Sequence, residues 1–146
     1  MAYKNHHFTM KKKFLFSFLL VSLLSVCVLT SCSKDDDDSF AYPLEQLYGK
    51  WKATSVYSDG TWYDVTRFPY TKFGMDITFY EGGKFYGSGY LGNGSGTYTL
   101  KGKTITTYIN GKEYIVYTVN SLTGTQADLT MSQGGESLRI KAEKEY

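Results

Sequence analysis

The sequence predicts an all-β domain: a small antiparallel up-and-down meander of about eight or nine strands, closed into a barrel. Three observations carry this. Tyr-, Thr-, Val- and Ile-rich runs of period two recur from Gly49 to the end of the chain, the pattern of strands buried on one face. Gly-containing turns separate them: Glu81-Gly82-Gly83-Lys84, Lys101-Gly102-Lys103 and Asn110-Gly111-Lys112. Asn-Gly is the strongest short hairpin signal, because both residues tolerate positive φ. Only Pro43 to Leu47 reads as a helical turn, so the strands must cover their own edges, and closing the sheet does so.

Taken in order, Trp51, Ala53, Ser55 and Tyr57 fall on one face of the first strand, with Lys50, Lys52 and Thr54 on the other. Met75, Ile77 and Phe79 alternate with Asp76, Thr78 and Tyr80. Gly96, Tyr98 and Leu100 alternate with Thr97 and Thr99, and Ile105, Thr107 and Ile109 with Thr104, Thr106 and Tyr108. Ile115, Tyr117 and Val119 form a further face. Leu129 and Met131 alternate with Asp128 and Thr130, and Leu138, Ile140 and Ala142 with Arg139, Lys141 and Glu143. Parity turns the large rings of Trp51, Phe79, Tyr98 and Tyr117 inward. Eight strands enclose a space barely wider than their own side chains, which argues against a roomy interior.

The first part of the chain is an address. Lys4, Lys11, Lys12 and Lys13 precede an uncharged run from Phe14 to Leu29, the n-region and h-region of a secretory signal peptide. The run approaches the length of the shortest membrane-spanning helices, but it ends in Leu29-Thr30-Ser31-Cys32. That tetrapeptide resembles the lipobox of bacterial lipoproteins: an aliphatic residue, two small residues, then the Cys that is lipidated after cleavage. Cys27 competes poorly, because Val26 before it is too bulky. Two or three acyl chains, as the resemblance implies, would hold the protein on a membrane without a spanning helix, since each buried CH₂ contributes about 0.8 kcal/mol. Ser33, Lys34, Asp35, Asp36, Asp37 and Asp38 follow at once. They form a hydrated, self-repelling tether, and they resemble the acidic export signal of surface-exposed lipoproteins of one Gram-negative phylum. Consecutive carboxylates on such a tail are not preorganised for calcium.

Composition narrows the chemistry. Residues 1–31 carry four lysines and no acid, so the 16 basic and 14 acidic residues of the whole chain leave 12 and 14 in the 115-residue mature portion, a net charge of −2 rather than +2. No basic patch points to nucleic acid. His6, His7 and Cys27 leave with the signal peptide and Cys32 is lipidated, so the mature protein is left without histidine or free thiol. Ser-His-Asp and Cys-His catalysis, Cys/His zinc sites and a structural disulfide are thereby excluded, and no cofactor or metal is expected.

Leu47-Tyr48-Gly49-Lys50-Trp51 resembles the Gly-x-Trp opening of lipocalins, in which the Trp plugs the closed end of the barrel from the first strand. Ile77-Thr78-Phe79, Gly83-Lys84-Phe85 and Gly96-Thr97-Tyr98-Thr99-Leu100 are similar to the small lipocalin-like domains carried by bacterial lipoproteins. The resemblance runs over roughly Leu44 to Lys144. It implies a barrel plugged by Gly49 and Trp51, a loop over the mouth after the first strand, and a basic residue near the last strand covering the Trp, for which Arg139 is the candidate although parity puts it outside. The chain is shorter than true lipocalins and has no room for a long helix after the last strand. The organisation is then a signal peptide over 1–31, a lipidated Cys and acidic tether over 32–42, and a lipocalin-like barrel over 43–146.

Tyr57 to Gly74 is the least regular stretch of the domain. Its aromatics with one cation suit an apolar ligand with an acidic head, or a sugar ring; the competing assignment is that the rings finish the core. Tyr57, Trp62, Arg67, Phe68, Tyr70 and Phe73 are the candidate pocket mouth. Gly87-Ser88-Gly89-Tyr90-Leu91-Gly92 matches G-x-G-x-x-G, but the continuation reads as hairpin rather than helix. Asp59 and Asp64 are a carboxylate pair of the kind a glycosidase uses, and as turn residues they read as solvated. The expected protein is a monomeric, non-enzymatic, lipid-anchored binder of the outer membrane, facing the exterior and holding a small amphiphile or glycan. The alternative is a protein-interaction or inhibitor module with a solid core.

Overall fold

A computed structural model describes residues 39–146. The expected signal peptide over 1–31, the expected lipidation at Cys32 and the expected export signal Ser33 to Asp38 lie outside the described residues. A short helix α1 (Leu44–Leu47) precedes β1 (Gly49–Ser58), β2 (Thr61–Asp64), a 3-10 turn (Tyr70–Phe73), β3 (Met75–Tyr80), β4 (Lys84–Gly89), β5 (Gly94–Lys101), β6 (Thr104–Ile109), β7 (Lys112–Leu122), β8 (Gln126–Gln133) and β9 (Glu136–Glu145). Every pairing between these strands is antiparallel. The sheet runs β2-β1-β3-β4-β5-β6-β7-β8-β9, and β1 pairs with β9 to close it. The ring therefore holds eight strands. β2 stands outside it as a flap: Ser55 to Ser58 pair with β2, while Gly49 to Lys52 pair with β3 along the same edge of β1.

One end of the barrel is shut by α1 and the β3–β4, β5–β6 and β7–β8 turns. The chain enters the fold here. The Ala41 N–H donates to Gly102 O (2.7 Å) and the Gly102 N–H to Ser39 O (3.1 Å), and the Phe40 and Tyr42 rings meet at 5.6 Å. The last four residues of the expected tether, Ser39 to Tyr42, thus lie against the barrel. Burying two aromatic rings outweighs the freedom that an extended tail would keep.

The core is one cluster of inward residues from all the ring strands, including Trp51, Val56, Phe79, Phe85, Ile105, Ile115, Val119, Leu129 and Ile140. Phe79 packs edge-on against Tyr98 (5.1 Å) and Tyr117 (6.4 Å). Gly96 pairs with Phe85 across β4 and β5, and a side chain there would collide with the Tyr108 carbonyl of β6. That close approach is why a glycine interrupts β5.

Three bulges break the alternation, and one overturns an expectation. The register of β1 against β9 shifts between Ala53 and Ser55. Thr54 is the extra residue, so inward parity passes from Trp51 and Ala53 to Val56. Ser55 and Tyr57 are consequently not inward, and Tyr57 is 40% exposed. A bulge adds one residue to one strand, and this exchanges the two faces beyond it. A second bulge omits Asn120 from the β7–β8 ladder. The third lies on β7, where Tyr114 and Ile115 together oppose Thr107 of β6, and there a side chain replaces the missing backbone partner. The buried Thr107 hydroxyl donates to Ile115 O (2.7 Å) and accepts from the Ile115 N–H (3.0 Å). Thr107→Val keeps the shape and strands both groups. We expect it to lower the unfolding free energy by about 2 kcal/mol, read as a lower urea midpoint at unchanged slope.

Candidate functional site

The floor of the barrel is built around Trp51. Its Nε1–H donates to Leu47 O (2.7 Å), the last residue of α1, so the helical turn is fixed to the first strand through the indole. Lys144 covers the ring with its ammonium 5.0 Å from the centroid, and also donates to Gln46 O and Tyr48 O, both at 2.8 Å. A cation over an indole face is electrostatically favourable, and the two carbonyls satisfy its remaining donors. Burial lowers the Lys144 pKa. Gly49 completes the arrangement: its φ is +119°, and the Lys144 side chain lies 3.6 Å from where a Cβ would stand. The Gly-x-Trp spacing thus has a physical basis. Lys144, not Arg139, is the basic residue over Trp51, because it continues the inward parity of Ile140 and Ala142 whereas Arg139 stands on the outer face.

Above Trp51 an apolar cavity of about 40 Å³ rises toward the opposite end. Ala53, Ile77, Phe85, Tyr117, Leu129, Met131 and Ile140 form much of its wall, and Met75, Asp76, Ser88, Leu91, Gly92 and Tyr114 stand toward its mouth. The Tyr114 hydroxyl donates to Leu91 O (2.8 Å), which ties the β4–β5 turn over the opening. Drug-sized ligands occupy roughly 300–1,000 Å³, so this closed barrel has room for a small apolar group. Two phenols in the interior are held neutral by burial. That of Tyr98 is pushed up to about 12 and donates to Tyr80 O (2.7 Å), and that of Tyr117, beside the cavity, is raised further.

The six residues expected at the mouth are not part of the cavity wall. Tyr57 and Trp62 face each other across β1 and β2 on the outside of the barrel, with ring centroids 5.2 Å apart. Arg67 pairs with Asp64 (3.3 Å) and is largely exposed, and Phe68 is 91% exposed. Tyr70 packs on Tyr63 (5.0 Å) and Phe73 on Tyr90 (5.1 Å), so these two extend the core beneath the connection. Val65 supplies the buried anchor there, and its N–H donates to Thr54 O (3.0 Å) at the bulge. Leu91 and Tyr114 meet the cavity instead. Tyr114 sits one residue before the inward series Ile115, Tyr117 and Val119 and joins it at the cavity because β7 carries an extra residue opposite Thr107, which nothing local marks. The glycine run containing Gly87 to Gly92 is the β4 hairpin rather than a strand-to-helix turn. Asp64 accepts from the Thr66 hydroxyl (2.6 Å) and the Thr66 N–H (2.9 Å), which with Arg67 lower its pKa; it is a turn carboxylate, bonded locally.

On the outer face, Asp128 takes both nitrogens of an Arg139 fork, Nε and one terminal nitrogen, each at 2.9 Å. These bonds, helped by Asn120 and opposed by partial burial, hold its carboxyl below the ordinary carboxylate range. The stabilisation from this depressed pKa is complete above the unfolded value of 3.8 and is lost as pH falls through the folded value. We therefore expect the stability gap between the native protein and Asp128→Asn to hold near neutrality and to close as pH falls below the unfolded value of 3.8, measured by urea melts at descending pH.

Among the described residues no group of three or more His, Cys, Asp or Glu is placed to hold a metal, and no helix is long and apolar enough to cross a membrane. The family model for the lipocalin-like domain matches residues 47–126, more than half of the chain, from the end of α1 to the start of β8. No curated protein and no solved structure matches. An eight-stranded antiparallel ring, plugged by an indole and holding an apolar cavity, is the architecture of a binding scaffold rather than of an enzyme. The chain belongs to the lipocalin-like domain family.

Proposed function

We propose that this protein is an outer-membrane lipoprotein, lipidated on Cys32 and displayed at the cell exterior, whose barrel binds a small amphiphile. The cavity above Trp51 carries the ligand part of this reading. Its wall is apolar from Ala53 to Met131, with the Tyr114 hydroxyl at the Leu91 turn; Asp76 and Ser88 border it from strands whose register turns these two side chains outward, Asp76 toward Lys50. Such a lining suits an apolar tail pointing down, with its polar head left outside the barrel; a sugar inside would leave its hydroxyls without partners. At 40 Å³ the cavity holds the tip of such a tail, and the Leu91 turn must shift for more to enter. The lipobox tetrapeptide and the acidic run after it support the address.

Native mass spectrometry of protein purified from its own membrane tests the ligand. We expect a co-purified mass that disappears in Ala53→Val, a change that fills the cavity beside Trp51; an unliganded native protein counts against the carrier reading. Cys32→Ser tests the address, and is expected to move the protein from the membrane fraction to the soluble exported fraction. A second reading, a protein-interaction module, is favoured by the small size of the cavity together with the bare Phe68 ring. It requires loss of partner binding in Phe68→Ser with the co-purified mass absent throughout.

A further inference from the structure

The outer face of β2, β1, β9 and β8 carries an arrangement that the cavity does not explain. Register places two adjacent rows across these strands. One runs Trp62, Tyr57, Arg139, Thr130, and the other Ser55, Lys141, Asp128, Ser121. Two of the barrel's three bulges flank them. The bulge at Thr54 turns Tyr57 outward, and the bulge at Asn120 sets that amide beside Asp128. Bulges commonly re-aim a side chain next to a binding site.

The resulting surface has two halves. Tyr57 and Trp62 form an aromatic half, their rings tilted at 57° and 5.2 Å apart. Lys141 lies 4.3 Å and Arg139 5.6 Å from the Trp62 ring centroid. The other half is planar and polar: Arg139 forks onto Asp128, whose Oδ1 also accepts from Asn120 Nδ2 (2.9 Å), while Asn120 reaches Thr130 Oγ1 (3.1 Å). Guanidinium, carboxylate and carboxamide are thus locked to one another before any ligand arrives. Preorganised groups of this kind cost little entropy on binding. The charge is lopsided. Lys141 is exposed and the Arg139 side chain half-exposed, whereas the Asp128 side chain is only 15% exposed and already engaged. Nearby Asp64 is paired with Arg67. Holding β2 against the barrel accounts for the Trp62 contacts alone; it does not require the Asn120 bulge or the Arg139–Asp128–Asn120 row.

We infer that this outer face binds an acidic carbohydrate. The C–H face of a sugar ring lies on Tyr57 and Trp62, its hydroxyls meet the Arg139, Asp128 and Asn120 row, and its carboxylate meets Lys141. Stacking supplies the apolar contact, and charge complementarity with the exposed Lys141, beside an Arg139 already neutralised by Asp128, selects the acidic sugar. The site is separate from the cavity and from whatever occupies it.

Full-length protein in detergent micelles, titrated with oligogalacturonate and with the neutral galactan oligosaccharide of equal length, tests the inference. The acidic oligomer should bind at least tenfold more tightly than the neutral one, and more weakly as salt rises. Trp62→Ala should abolish measurable binding. Lys141→Gln, an exposed change that leaves the fold intact, should remove most of the preference for the acidic oligomer. Unchanged Trp51 emission and circular dichroism establish that each variant is folded. Absence of binding to either oligomer, equal affinity for both, or Lys141→Gln behaving as the native protein overturns the inference. Ala53→Val, which blocks the cavity, should leave this binding intact; its loss would place the sugar inside the barrel instead.

Discussion

The pairing of β1 with β9 is the constraint on which the rest of this molecule depends, and the contact of Lys144 with Trp51 is its keystone. Closing the ring brings the last strand beside the first, and only then does the Lys144 ammonium reach the indole and the two carbonyls at the end of α1. The same residues therefore join the two ends of the domain, shut one mouth of the barrel and set the depth of the cavity. Gly49 is bound into this arrangement by its backbone angle and by the Lys144 stem lying against it. A lysine in so apolar a place would ordinarily be destabilising; here carbonyl oxygens and an aromatic face take the role of water.

Much of the fold was legible because a half-buried strand writes its two faces into alternate residues. The strands from Met75 to Tyr80 and from Gly94 to Ile109, the Asn-Gly turn and the Trp51 plug all follow from that rule and from turn chemistry. The departure on β1 has a single cause. Period-two reading assumes an unbroken ladder, and a bulge adds a residue without marking it. Thr54 and Ser55 are both small, polar and β-compatible, so nothing distinguishes the extra residue from its neighbours, yet every face assignment beyond it inverts. Tyr57 moved from inside to outside by that single step. Lys144 was within reach of the same rule: it lies two residues beyond Ala142, in phase with Ile140, and a cation on an inward phase is itself a signal of a carbonyl or aromatic partner.

The candidate mouth shows where local reasoning stops. Tyr70 and Phe73 sit in the irregular connection expected over the opening, but their rings turn to Tyr63 and Tyr90. Leu91 and Tyr114, distant in sequence, tie the turn across the mouth instead. Such a pairing is set by how eight strands curve around one axis, which composition and spacing do not encode. The interior ends up nearly filled, as ring size and strand number require, and the display of aromatic and charged groups passes to the outer wall.

The two tryptophans of the chain stand on opposite sides of that wall. One indole is sealed at the floor, bonded to a carbonyl and covered by an ammonium; the other lies outside beside two cations. A dissolved anion such as iodide meets the second far more readily than the first. The molecule thus carries a matched pair of optical reporters, through which an event within the barrel and one upon its surface can be told apart by light alone, with no label attached.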